Sequence, residues 1–301
     1  MVASFVGEIE MAYGTSNAAY YAGSLIEQIA AAEAVIALPD SNVVLPLVTT
    51  IGKDFADQIT IPVWNQGTHT LASSDMGAHS EGSDAHVRGL TSEKKTGTLD
   101  MYSFYVPVHA EADDSSVEDI GTRIGQLGAA TVGAKIDSLI TTLFSGFTGN
   151  EAGTSSVAIT VDNWFDAIAK LKADGAPAPY NAVLNPLQIW GSNGLSDDLG
   201  TSNQFGGVVS LQDQMITTGA VGSLAGVGVY HTREVAESSS AAEGLMFSKE
   251  AMAFGYVNPL IRVEMEREAK KLRNDFVFSL NAVAWELVDN YGCTLHTKTS
   301  D

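Results

Sequence analysis

The stretch SSVEDIGTRIGQLGAATVGAKIDSLITTLF, Ser115 to Phe144, contains no proline and predicts one unbroken helix. At 1.5 Å per residue such a rod is roughly 45 Å long, more than a compact domain of this size needs. Ser115 followed by Glu118 fits a capping box, and Asp113, Asp114 and Asp119 place negative charge where the helix dipole favours it. Val117, Ile120, Ile124 and Leu127 form an apolar stripe, continued with a slight rotation by Val132, Ile136, Leu139 and Leu143. The middle is unusually small: Gly121, Gly125, Gly128, Ala129, Ala130, Gly133 and Ala134. Each interior glycine costs roughly 0.5–1 kcal/mol against alanine. Two readings offset that cost: another backbone approaching closely, or a helix buried in a large core.

Composition limits what surrounds this rod. With 301 residues, one large or two modest domains are allowed. No apolar run reads as long enough for a membrane span, and the acidic MVASFVGEIEMAYG does not fit a secretory signal. The single cysteine, Cys293, permits no intrachain disulfide, which fits a reducing compartment. A formal charge of −20 with 16 basic residues argues against dedicated nucleic-acid binding. The one basic cluster, Arg262, Arg267, Lys270, Lys271 and Arg273, is interleaved with Glu264, Glu266 and Glu268 and reads as a salt-bridged surface. The acidic excess keeps copies apart until specific contacts overcome it.

Around the rod the chain reads as follows. Residues 15–37 are alanine-rich and helical, ended by Pro39 and Asp40; SNVVLPLVTTIG is an extended apolar arm with little core of its own. From Phe55 a strand alternates, with Ile59, Ile61 and Val63 on one face and Gln58, Thr60 and Trp64 on the other. Thr96 to Ala110 is a second extended run, and Pro62 and Pro107 suit an exposed hairpin better than a central sheet. The long connection between the runs fits a hairpin that projects and orders against neighbours. Beyond the rod, SSVAITV reads as a short strand. DNWFDAIAKLKADG is an amphipathic helix capped by Asp162, with Trp164, Phe165, Ile168 and Leu171 inward and Gly175 as stop. YNAVLNP, VGVYHT, GLMFSK, IRVEME, the aromatic DFVFSLNAVAWELVD and GCTLHTK are extended, with EAMAFGY a short apolar turn.

Catalytic signatures are missing. There is no phosphate-binding loop and no nucleophile elbow. Gly219, Gly222, Gly226 and Gly228 are misplaced for a dinucleotide fingerprint, because the strand follows them. His69, His79 and His86, with Asp75, Glu81 and Asp84 nearby, have metal-binding chemistry but no recognised ligand spacing. No catalytic, cofactor-binding or metal-ligating residue is therefore assigned, and no cofactor is expected.

An arm, a projecting hairpin, a glycine-studded rod and a late β-rich core are devices for touching neighbours. Their order resembles the major capsid protein of tailed double-stranded DNA bacteriophages, the Hong-Kong-ninety-seven-type (Johnson) fold. VPVHAEADDSSVEDIGTRIGQLGAATVGAKIDSLI is similar to the family's strand leading into its spine helix, including Asp137 near the helix end. YNAVLNPLQIW resembles the step into the axial domain, and LAGVGVYHTREV the returning strand. GLMFSKEAMAFGYV and NDFVFSLNAVAWELVDNYGCTLHT resemble the closing strands.

The resemblance implies an α+β phage capsid fold. It divides the chain into an N-terminal arm (1–50), an extended loop hairpin (51–109), a peripheral domain (110–183, spine helix 115–145), an axial domain (184–235) and a C-terminal peripheral part (236–301). It implies a structural, non-enzymatic protein of the virion, assembled in the host cytoplasm. Copies would self-assemble as hexamers and pentamers into an icosahedral shell. The shell would enclose the DNA genome without sequence-specific binding and without a membrane. A portal, a decoration protein and a separate scaffolding protein are implied partners, the last because the arm begins almost at Met1. Lys94 and Lys95 lie near the loop, but no partner aligns, so no covalent cross-link is expected. A non-viral, encapsulin-like compartment shell enclosing enzyme cargo is the alternative. A metal-dependent enzyme using the histidine-rich segment is a third reading.

Overall fold

A strand of 14 residues, β13 (Arg273–Glu286), organises half the molecule. Phe276, Phe278, Leu280 and Ala282 alternate inward along it. The computed structural model describes residues 30, 32, 34, 42–64, 76–79, 81, 82, 84, 92–109, 120–196 and 222–299. Along one edge of β13 run β11 (Met252–Val257) and then β12 (Arg262–Glu268), both antiparallel. Along the other edge runs β4 (Asp100–His109). β1 (Thr49–Lys53) adds in parallel outside β11, closing a five-stranded sheet. Helix α1 (Ile120–Thr141) lies over its inner face, and Ile124, Val132, Ile136 and Ile140 join Phe254, Phe276 and Phe278 in the largest core.

A second sheet has seven strands. Its path is β5 (Glu151–Gly153), β14 (Gly292–Lys298), β10 (Ala241–Ser248), β6 (Tyr180–Leu184), β8 (Val227–His231) and β7 (Ser223–Leu224), with β9 (Glu237–Ser238) on β10. Helix α2 (Val161–Ala173) packs on it through Trp164, Ile168 and Leu171. The corner into α3 (Pro186–Trp190) is a capping box of Asn185 and Gln188. Gln188 is fully buried, and the two hydrogens of its amide are shared among Ala242 O, Leu295 O and Thr297 Oγ1, each at 3.1 Å. A leucine there would strand two carbonyls inside the sheet. Gln188→Leu is expected to cost about 2–4 kcal/mol, read as a lower urea midpoint at constant slope.

Several sequence expectations are corrected. The rod ends at Thr141, and its start with the Ser115–Glu118 box lies outside the described residues. Leu127 is 67% exposed, because the stripe rotates past the sheet one turn before Val132. The window within Ile120–Gly146 reaches a mean hydropathy of 1.2, so by length and composition this helix could cross a membrane; half of that window is buried against the sheet. SSVAITV forms no strand: the Ile159 amide bonds Asn193 O instead of a ladder, and Val161 already belongs to α2. EAMAFGY is not a turn; most of it is β11, whose uninterrupted burial hid the two-residue period. The cap of α2 is Thr160, which accepts from Asn163 N at 3.2 Å, and Phe165 faces outward. Of residues 15–37, Ala30, Ala32 and Ala34 are described as helical, and Ala30 and Ala34 are buried; the rest lies outside the described residues. The arm SNVVLPLVTTIG holds more core than expected, with Val44, Leu47 and Val48 buried and a 3-10 turn at Leu45–Leu47.

The second extended run divides at Leu99. β3 (Ser92–Thr98) pairs with β2 (Gln58–Trp64), whereas β4 joins the main sheet. The hairpin is therefore β2–β3, not the whole of 51–109. Pro107 is tolerated because β4 is an edge strand. Residues 236–301 also divide, since β9, β10 and β14 enter the seven-stranded sheet and β11 to β13 the five-stranded one.

Candidate functional site

The small face of α1 is explained by one ring. A Cβ on Gly128 would sit 2.2 Å from Phe278, whose ring stacks on Phe104 with centroids 5.0 Å apart and planes 7° from parallel. Gly121, Gly125 and Gly133 are buried as well. Close approach is thus made here by an aromatic side chain of the sheet. The large-core reading holds, whereas the expected close backbone is replaced at Gly128 by a ring.

Asp137 ties the arm to the rod. It is 2% exposed, and its two carboxylate oxygens accept from Val43 N at 3.0 Å and Val44 N at 3.1 Å. The next turn along, Thr141 Oγ1 donates to Glu234 O at 2.8 Å. Burial pushes the Asp137 carboxyl above its ordinary 3.8, against the pull of the Val43, Val44 and Leu45 amides; Glu234 pushes the same way as burial. The folded chain thus holds this proton more tightly than the unfolded one. Its contribution is fully present below pH 3.8 and is lost as pH rises through the folded-state value. Relative to Asp137→Asn, which has no carboxyl to titrate, the native chain is expected to lose stability in urea titrations as pH rises from acid towards neutrality.

The hairpin carries the expected two faces. Ile59 is buried on Ala253 and Trp285, and Ile61 and Val63 are half-buried beside it. Gly97 and Gly255 admit this seat: a Cβ on Gly97 would meet Trp285 at 2.6 Å, and one on Gly255 would meet Ile59 at 2.7 Å. The hairpin is therefore fixed to the body at its base, where the sequence suggested free projection. Towards its far end it opens, and Trp64 is 56% exposed. Among the described residues no third strand pairs with β2 or β3, so both backbone edges are open.

The residues weighed for chemistry fall apart. His79, Glu81 and Asp84 are exposed; His69, Asp75 and His86 lie outside the described residues. Among the described residues no group of three His, Cys, Asp or Glu is placed to hold a metal. Lys95 pairs with Glu93 at 3.1 Å, and Lys94 lies opposite Pro62. Gly222 and Gly226 are turn residues at φ +61° and +82°, Gly228 lies in β8, and Gly219 lies outside the described residues. In the basic cluster Glu268 bridges Lys271 and Arg273, each at 2.9 Å, and Arg273 also holds Asp275 at 3.1 Å. Burial pushes the Cys293 thiol up to about 12, which keeps it protonated and unreactive. Sequence reasoning missed the Asp137–arm contact as geometry. Its signal was a lone acid in the apolar second half of a helix.

No protein-family model matches the sequence, and no curated protein matches it. Solved structures do match. The capsid of the cyanophage P-SCSP1u is 12% identical, covering 83% of this chain and 86% of its own, with a TM-score of 0.61. The capsid of Ralstonia phage GP4 is 13% identical over 85% and 88%, at 0.61. The holo-SrpI encapsulin complex from Synechococcus elongatus is 13% identical over 86% and 87%, at 0.57. A seated hairpin, then a rod backed by one sheet, and a second sheet, matched over more than four-fifths of the chain, give it the α+β fold of the phage capsid subunit.

Proposed function

We propose that this chain is a major capsid protein of a tailed double-stranded DNA bacteriophage. It assembles as hexamers and pentamers into an icosahedral shell around the genome. The observation that carries this reading is the hairpin: a two-stranded ribbon seated at its base and, among the described residues, open along both backbone edges. On a chain with the capsid fold, such a ribbon is built to add to a neighbour. The five-stranded sheet with α1 corresponds to the peripheral domain and the seven-stranded sheet to the axial domain, with residues 1–50 as the arm. The role is structural, with energy drawn from many burial contacts between copies. The acidic surface suits bulk enclosure of DNA without sequence readout. Location in the virion after assembly in the host cytoplasm, and dealings with portal, scaffolding and decoration proteins, belong to the same proposal.

A compartment shell enclosing enzyme cargo is the second reading, favoured specifically by the likeness to the encapsulin complex. Electron microscopy of particles made in an expression host, with nuclease digestion and protein analysis of their contents, tests both. Nuclease-protected DNA after infection supports the capsid reading, co-purifying cargo protein supports the compartment, and a monomer without particles overturns both.

Removing residues 65–91 and joining Trp64 to Ser92 through a short turn keeps the β2–β3 register intact. The variant is expected to melt within a few degrees of the native chain yet build no normal shells, checked by calorimetry and microscopy. Normal particles would count against the hairpin's role.

A further inference from the structure

Phe55, in the corner after β1, is 96% exposed. A phenylalanine in that state leaves its whole apolar surface in water, although the corner around it is ordered. Asn258 N donates to Lys53 O at 2.8 Å, and Asn258 Nδ2 to Asp54 Oδ1 at 2.9 Å. At the opposite edge of the same sheet, an unfilled groove of about 460 Å³ opens between β4 and α1. Tyr102, Phe104, Val132, Phe278 and Leu280 line it, and Lys135 stands at its side with Nζ 4.5 Å from the Tyr102 ring centroid. Exposed Met101 and Leu127 lie at its rim and one helical turn beyond Thr131.

We propose that Phe55 of one copy inserts into the β4–α1 groove of a second copy. This deepens the shell reading above and rests on it. Charge selects the groove. Phe55 is flanked by exposed Asp54 and Asp57, with Lys53 one residue further back. Among the described residues Lys135 is the one charged side chain lining the β4–α1 groove, and Asp100 lies outside the lining. A second apolar groove, about 350 Å³ beneath the hairpin, carries Glu250 and repels the same acids. Topology selects the partner. β11 and β13 separate β1 from β4, so knob and hole stand roughly 14 Å apart on opposite edges of one subunit. A subunit cannot fill its own hole, and a knob-to-hole contact between copies is head-to-tail, the kind that closes into rings.

Incorporating a benzoylphenylalanine photocrosslinker at position 55 of the full chain is the direct test. In assembled particles the crosslink is expected to join another copy at the peptides containing Tyr102–Phe104 or Val132–Lys135. Phe55→Ala, and Thr131→Trp to plug the groove, are each expected to lower the assembled fraction at least about tenfold at fixed concentration. Their unfolding midpoints should stay unchanged, and Phe55→Trp should still assemble. Crosslinks to the groove beneath the hairpin, or normal assembly of Phe55→Ala, overturn the contact while leaving the shell reading intact. A native chain that forms no particles removes the shell reading and this contact with it.

Discussion

Gly128→Val is expected to destabilise the subunit by about 3 kcal/mol, among the largest effects of any single substitution on the rod. Even alanine would put a methyl 2.2 Å from the Phe278 ring. The ring can retreat only by breaking its stack on Phe104. Intrinsic helix propensity works the other way, favouring alanine over glycine by about 1 kcal/mol. The sign of the measured change therefore decides which effect wins, and close packing should. A double-mutant cycle isolates the contact: Gly128→Ala should cost much less on a Phe278→Leu background. Urea unfolding checks each corner. A stabilising Gly128→Ala on the native background would mean that the small face has another cause.

Asp137→Ala is expected to free the arm. It strands the part-buried amide of Val43 and the buried amide of Val44, at about 1–3 kcal/mol each, for a total of about 2–6 kcal/mol. The damage should be local. Residues 43–48 lead directly into β1, whose one strand partner among the described residues is β11. Hydrogen exchange should therefore speed up in β1, with β6 and β10 little changed. Equal acceleration across both sheets would show that Asp137 supports the whole fold and not the arm's docking.

The sequence showed strands best where one face meets water. β2 and β12 alternate visibly, and the β6–α3 corner announces itself through Asn185-Pro186. Where burial covers both faces the period disappears, which is why Met252–Val257 passed as a turn. β3 was hidden for the opposite reason: SEKKTGT is polar, and only its partner β2 makes it a strand. Long-range choices were illegible, because residues 236–301 carry no mark saying which strands go to which sheet. For the site, the hairpin was legible as a device but not its seat on Trp285. Asp137 was noticed only through resemblance, since no local pattern says that its acceptors will meet amides 93 and 94 residues away. Phe55 passed as the start of a strand, because exposure is a property of the folded corner.

β14 is an interior strand, held between β5 and β10. The ribosome delivers residues 292–298 long after β6, more than a hundred residues later, or roughly 5–20 s at ordinary elongation speeds. Until then β10 lacks one of its ladders, and Cys293 and Leu295 are missing from the second core. A nascent or prematurely terminated product therefore cannot complete its fold. Translation itself thus sets the moment at which the second sheet can close.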